Sequence, residues 1–294
     1  MVLPAVDRLK RSLTGYLFVL PTLIFIGYFL YYPAYRALTG AFTDWDGFNQ
    51  PEWIGLENFR RAFEDAVLRE AARNNLIWAF FDVVLAIVPA FIVAELIFHV
   101  RRPRLKYLYR ALFIIPAVVP FIVTVLLWRY YYQSDGLINL ILGKVGLSSL
   151  ERPWISDPGT ALLALALMGF PWVNAFNMLI FYAGLQHIAP EVLEAAELEG
   201  ATGLRRVWTI DLPLVLAQFK LLVVLALITS GQNIVVPLLM THGGPGYSTY
   251  TPALYMYDTA VEYGDFGYSM AISFMIFVLI LGLTALNVRF IRER

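Results

Sequence analysis

The apolar residues of this chain gather into six long runs, roughly 13–33, 75–98, 107–130, 160–185, 213–238 and 267–290. A helix needs about 20 apolar residues to cross the hydrocarbon core of a bilayer, and each run is near that length. Lipid offers no partner to an unpaired backbone N–H or C=O, so a helix is the expected form of each run. The expected fold class is all-α: a polytopic membrane protein with six transmembrane helices. Pro21, Pro89, Pro116, Pro120 and Pro171 lie inside these runs. They predict kinked or broken helices rather than six straight rods. Between the first two runs, residues 56–73 read as a short amphipathic helix with Phe59, Phe63, Val67 and Leu68 on one face. Residues 241–251, rich in Gly, Pro, Ser and Thr, predict an irregular segment. No internal repeat is visible.

Lys and Arg orient the runs. Arg8, Lys10 and Arg11 precede the first. Arg101, Arg102, Arg104 and Lys106 crowd the short 99–106 connection without an acid, and Arg289, Arg292 and Arg294 follow the last run. The segment 239–266 has no Lys or Arg. The positive-inside rule then places both termini, 99–106 and 186–212 in the cytoplasm, with 34–74, 131–159 and 239–266 outside. Loop 34–74 carries five Arg, but also seven acids. The first run has the basic flank of a signal peptide. It runs on through Tyr31 and Tyr32 without a small-x-small cleavage site, so an uncleaved span is expected. The natural division is residues 1–73, holding the N-terminal tail, first span and external loop, and a core of residues 74–294.

Composition agrees with this class and removes others. Of 294 residues, 59% are hydrophobic and 15% charged, below the roughly 25% charged usual in soluble domains. Mean hydropathy is +0.65. A net charge of zero leaves no nucleic-acid footprint. Without Cys there is no disulfide, thiolate catalysis or Cys–metal site. His99, His187 and His242 are far apart in sequence and read as packing or surface residues, so no metal site is expected. No Ser/His/Asp or His-cluster arrangement points to a membrane-embedded enzyme, and no catalytic residue is expected.

The segment 186–213 reads QHIAPEVLEAAELEGATGLRRVWTIDLP. Pro190 suits the first turn of a helix. The residues after it are strong helix formers, and Gly200 suits the left-handed position just past a helix end. Glu191, Glu194, Glu197 and Glu199 make the segment acidic on the side where positive charge is favoured. Ala195 and Ala196 are small enough for another surface to approach closely. On its residues alone the segment is a solvated connector helix or a docking surface, the connector being the plainer reading.

The order Glu194-Ala195-Ala196, then Gly200, then Ile210, Leu212 and Pro213 resembles the coupling-loop signature of permease subunits from binding-protein-dependent ABC importers. The likeness extends to the carbohydrate-uptake branch, such as maltose, lactose and glycerol-3-phosphate permeases. Gly55, Leu56, Asn58 and Phe59 resemble its G-L-x-N-F stretch, and Arg110, Phe113, Pro116, Trp128, Gly136 and Asn139 its third-span pattern. Gly184, Leu185 and Gln186 precede the loop in the usual way, and Thr241, Gly243, Gly244 and Pro245 match T-x-G-G-P. Glu199 stands where the branch usually has Asp, and Asn75 where it often has Thr. The resemblance implies a type I ABC importer permease fold in the prokaryotic plasma (inner) membrane. It implies a transport channel subunit rather than an enzyme, with ATP and Mg held by a partner and no cofactor in this chain. The implied partners are a second permease in a heterodimer, two ATP-binding subunits, an external solute-binding protein, membrane lipid and a sugar or polyol solute. Glu194, Ala195, Ala196, Glu197, Gly200, Ile210, Leu212 and Pro213 would dock the ATPase. The chain carries no Walker A sequence of its own.

A sugar path needs hydrogen-bonding groups and aromatic faces sheltered from lipid. Trp172, Asn174 and Asn177 in the fourth run, and Gln232 and Asn233 in the fifth, are the candidates. The alternative for each is that it fastens helices together. Asp82 lies inside the second run, where a carboxylate is costly unless paired or wetted. A structural or subunit-interface role is the plainer reading; a proton-coupled carrier is the competing class that would use it. Basic residues are sparse within the runs, with Arg110, Arg129 and Lys220 among the few, which slightly favours a neutral sugar over a phosphate.

Overall fold

The computed structural model defines residues 5–290, with side chains from residue 15 onward except those of residues 288 and 290. Arg292 and Arg294 lie outside the described residues, as do the side chains of Arg8, Lys10 and Arg11, so the placement of the termini rests on the charge pattern alone. The described residues form helices without a strand; one isolated bridge pairs Thr43 with Trp53.

Three helical segments are long and apolar enough to cross a bilayer: Gly15–Gly40, Ala66–Phe98 and Phe266–Asn287. The first comprises α1 (Ala5–Ile26), a π-turn (Gly27–Tyr31) and α2 (Tyr32–Gly40), exposed on all sides from residue 15 to 36. Next come α3 (Glu57–Glu64) and α4 (Ala66–Phe98). The third run is a bent pair, α5 (Pro103–Ile114) with its 3-10 extension and α6 (Phe121–Tyr131), meeting at 83° where Pro120 removes a backbone donor. Then follow α7 (Leu137–Lys144), α8 (Ala161–Ala166), α9 (Ala175–Gln186) and α10 (Pro190–Leu198). The fifth run is a second bent pair, at 69°: α11 (Gly203–Arg206), a π-turn (Val207–Asp211) and α12 (Leu212–Leu214), then α13 (Leu216–Gly231). Last are α14 (Val235–Met240), α15 (Pro252–Val261) and α16 (Phe266–Phe290). Counting each bent pair as one span gives five. The fourth run does not form one helix: residues 167–174 break it into α8 and the 12-residue apolar α9.

The chain divides into two compact units, residues 1–64 with 256–275, and 65–255 with 276–294. The boundary expected at 73/74 lies inside α4, and so does the end of the amphipathic helix expected at 56–73. Asp65 explains both. Its extended backbone (φ −72°, ψ 113°) ends one helix, and its carboxylate starts the next by accepting the N–H of Val67 (2.8 Å) and Leu68 (3.1 Å). Leu68 is buried while Phe63 is exposed, so the expected apolar face is split.

In the first unit, Asn58 is buried and donates to the carbonyls of Ala41 (3.2 Å) and Thr43 (2.7 Å). Phe42 packs on Trp53, Phe59 and Phe274. These bonds and ring contacts explain Asn58 and Phe59 of the G-L-x-N-F stretch physically.

In the second unit, α4 lies against α9 and α13. Ile87, Ala90, Ala94 and Ile97 pack with Met178, Phe181, Tyr182, Leu185, Val215 and Leu222. Ala90 and Ala94 permit the close approach that membrane helices need. A further cluster joins Trp78, Val125, Tyr132, Leu165, Val236 and Met240. Asn139 is fully used: it donates to the carbonyls of Ser134 (3.0 Å) and Arg152 (2.9 Å) and accepts from Trp154 Nε1 (2.8 Å). The segment 241–251 is irregular as expected, a run of turns without helix or strand, and it is fastened. Thr249, wholly buried, donates to Gly244 O (2.9 Å) and shares a hydrogen bond with Thr241 (2.6 Å).

Candidate functional site

The most constructed feature of the acidic segment is the end of α10. Gly200 has φ +74°, where a side chain would be strained. Its N–H reaches Glu197 O (3.1 Å), and the N–H of Ala201 reaches Ala196 O (2.8 Å). These two bonds are a Schellman motif, and the apolar contact that accompanies it falls to Ala196 and Ala201, both buried. Ala196 is therefore part of the helix's own closure and is buried in this chain, not outward-facing like Ala195. Ala195, Glu194, Glu197 and Gly200 are exposed, as is Pro213, while Ile210 and Leu212 are half-buried. Sequence reasoning passed over the exposed apolar residues beside them. Leu198 is 90% exposed, Leu204 78% and Trp208 68%. Large exposed apolar side chains next to a row of carboxylates make a mixed surface suited to a protein partner.

A cavity of about 250 Å³ opens beside the break in the fourth run, lined by Asp82, Leu85, Ala86, Met168, Trp172 and Asn174 among others. The break makes it. Trp172 takes a left-handed backbone (φ 58°), and its indole N–H donates to Leu167 O (2.8 Å). Asn174 caps α9 by accepting the N–H of Asn177 (3.0 Å). Trp172 and Asn174 thus come together, joined by Asp82. The other three candidates lie elsewhere. Asn177 is buried and donates to Ala86 O (2.9 Å), fastening α9 to α4. Gln232 follows the end of α13, and Asn233 accepts weakly from Val236 N (3.4 Å) and receives the Thr251 hydroxyl on its carbonyl (3.1 Å). A larger recess of about 590 Å³ is lined by Arg129 of α6 and by Tyr132, Gln133, Asp135, Ser156 and Thr241 among others, from the segments 131–159 and 239–266. Burial pushes the Tyr132 phenol up to about 12, so it stays a neutral hydrogen-bonding group there.

The description "binding-protein-dependent transport system inner membrane component" belongs to the family model that matches residues 83–293. The sn-glycerol-3-phosphate transport system permease protein UgpA of Agrobacterium fabrum is 30% identical over 287 residues, covering 97% of this chain and 96% of that protein. The sulfoquinovosyl glycerol transport system permease protein SmoG of the same species is 29% identical over 293 residues, covering 97% and 92%. Among solved structures, a bacterial ABC transporter involved in the import of the acidic polysaccharide alginate has a chain of like fold. Its TM-score is 0.80 at 21% identity, covering 97% of this chain and 99% of that one.

Proposed function

This chain belongs to the binding-protein-dependent transport system inner membrane component family, and from that premise we propose how it carries a solute and what drives it. It is a multi-pass permease subunit of an ABC importer in the plasma membrane, not itself an enzyme, and works with a solute-binding protein. The finer reading is that it moves a neutral, hydroxyl-rich solute, a sugar or polyol, inward by alternating access. A second permease would complete the path, and two ATP-binding subunits holding ATP and Mg would supply the energy through α10. The sixth span, on this reading, is the broken fourth run.

One observation carries the proposal: α10 is a short helix closed at both ends, by Pro190 and the Gly200 turn, with carboxylates and Leu198 facing out. A rigid element of this kind passes on a push that a loose loop would absorb. Glu194, Ala195, Glu197 and Gly200 belong to the docking surface, and Ile210, Leu212 and Pro213 to the entry of the next span. The cavity supports the solute class. Asp82 and Asn174 accept hydrogen bonds from hydroxyls, the Trp172 ring offers an apolar face to sugar C–H groups, and no cationic side chain lines the wall to attract an anion.

Uptake by the complete transporter in proteoliposomes tests this against a proton-coupled carrier. With binding protein and solute outside, uptake should require ATP on the ATPase side and persist when a protonophore collapses the proton gradient. Uptake without ATP that fails with the protonophore would assign Asp82 to proton coupling instead.

A further inference from the structure

The cytoplasmic end of α4 carries a buried ionic cluster that solute passage does not use. Glu95 is buried, and neither carboxylate oxygen has a hydrogen-bond partner. The nearest ring nitrogen is Nδ1 of His99, one turn on, at 3.4 Å from Glu95 Oε2; the same nitrogen lies 2.9 Å from the Glu95 carbonyl oxygen. The third member is Asp211, wholly buried in the turn before α12. Arg206 Nε donates to both its oxygens, at 3.1 and 3.3 Å. One ligand atom from each of Glu95, His99 and Asp211 falls within 4.8 Å of the other two.

The charges do not balance. Two buried carboxylates face one guanidinium, and an unpaired buried carboxylate is expensive. Each Asp211 oxygen also keeps a lone pair beyond its bond to Arg206. Two carboxylates and an imidazole suit a borderline divalent metal such as Zn²⁺ or Co²⁺ better than Mg²⁺, which prefers oxygen and water alone. His99 is 40% exposed at its side chain, which gives an ion a way in.

We propose that Glu95, His99 and Asp211 form a divalent transition-metal site that ties the end of α4 to the segment leaving α10. A bound ion would join a membrane helix to the chain that follows the docking helix, and so stiffen the route between them. The inference stands on this cluster and does not depend on the solute.

The test uses the complete transporter, purified, stripped of metal and nucleotide, and titrated with Co²⁺ and then Zn²⁺. The expected result is one Co²⁺ per copy of this chain, with visible d–d absorption that Zn²⁺ removes. His99→Ala, at a half-exposed position, and Glu95→Gln should each weaken binding at least about tenfold, as loss of a metal-site partner typically does. A transporter that binds no ion with this signature would overturn the proposal. So would binding of equal strength in correctly assembled His99→Ala and His99→Gln variants, which would place the ion elsewhere.

Discussion

Single side chains divide the solute path from its scaffold. Asn174 and Asn177 look alike in sequence, both amides in an apolar run. One sits at the cavity and caps a helix; the other spends its amide on the carbonyl of Ala86. Which backbone group lies across from an amide is set by how α9 meets α4, and that is not written locally. The two therefore should behave differently. Asp82→Asn and Trp172→Ala should each raise the apparent KM for solute by about tenfold, the effect of losing roughly 1.4 kcal/mol of contact, with the transporter still assembled. Asn177→Leu should leave KM unchanged and lower thermal stability by about 1 kcal/mol, the worth of one internal hydrogen bond. Uptake kinetics and melting of the purified complex measure both. Asp82 was legible as an anomaly in the second run, but only the break at residues 167–174 put a cavity beside it.

Elements were legible where their ends carry chemical signals. Pro190 and Gly200 bracket α10 in the sequence and bound it in the structure. The Schellman closure explains why Ala196 turned out buried: the third residue from such an end packs on the residue after the glycine. Substituting Ala196→Leu should thus destabilise the helix by about 1–3 kcal/mol through overpacking, read as lost assembly on gel filtration. Gly200→Val, β-branched at φ +74°, should leave basal ATP hydrolysis in place while solute uptake falls. Asp65 was hidden, because a carboxylate within an amphipathic pattern reads as one more polar residue. Its two backbone bonds show a cap, and Asp65→Ala should cost about 1 kcal/mol in stability. Pro120 signals a break in the third run; the 83° angle between its two helices is seen only in the structure.

At the scale of the whole molecule, six apolar runs were legible from length and composition, and the all-helical fold followed from what lipid forbids. The fourth run was not legible as two pieces. Its hydropathy continues across the left-handed turn at Trp172, and apolar residues satisfy the pattern whether or not the helix does. The ATPase of such importers is a separate subunit, and α10 is the proposed point at which its energy enters this chain. Because the chain contains no cysteine, one introduced thiol is unique within it. Leu198→Cys, at a position 90% exposed in the isolated chain, and Phe48→Cys, at one 93% exposed in the outer loop, can be reacted with a maleimide in the complete, detergent-solubilised transporter. The account predicts that the thiol at 198 is shielded by the ATP-binding subunit and reacts far more slowly than the one at 48. Equal rates at the two positions would contradict docking on α10.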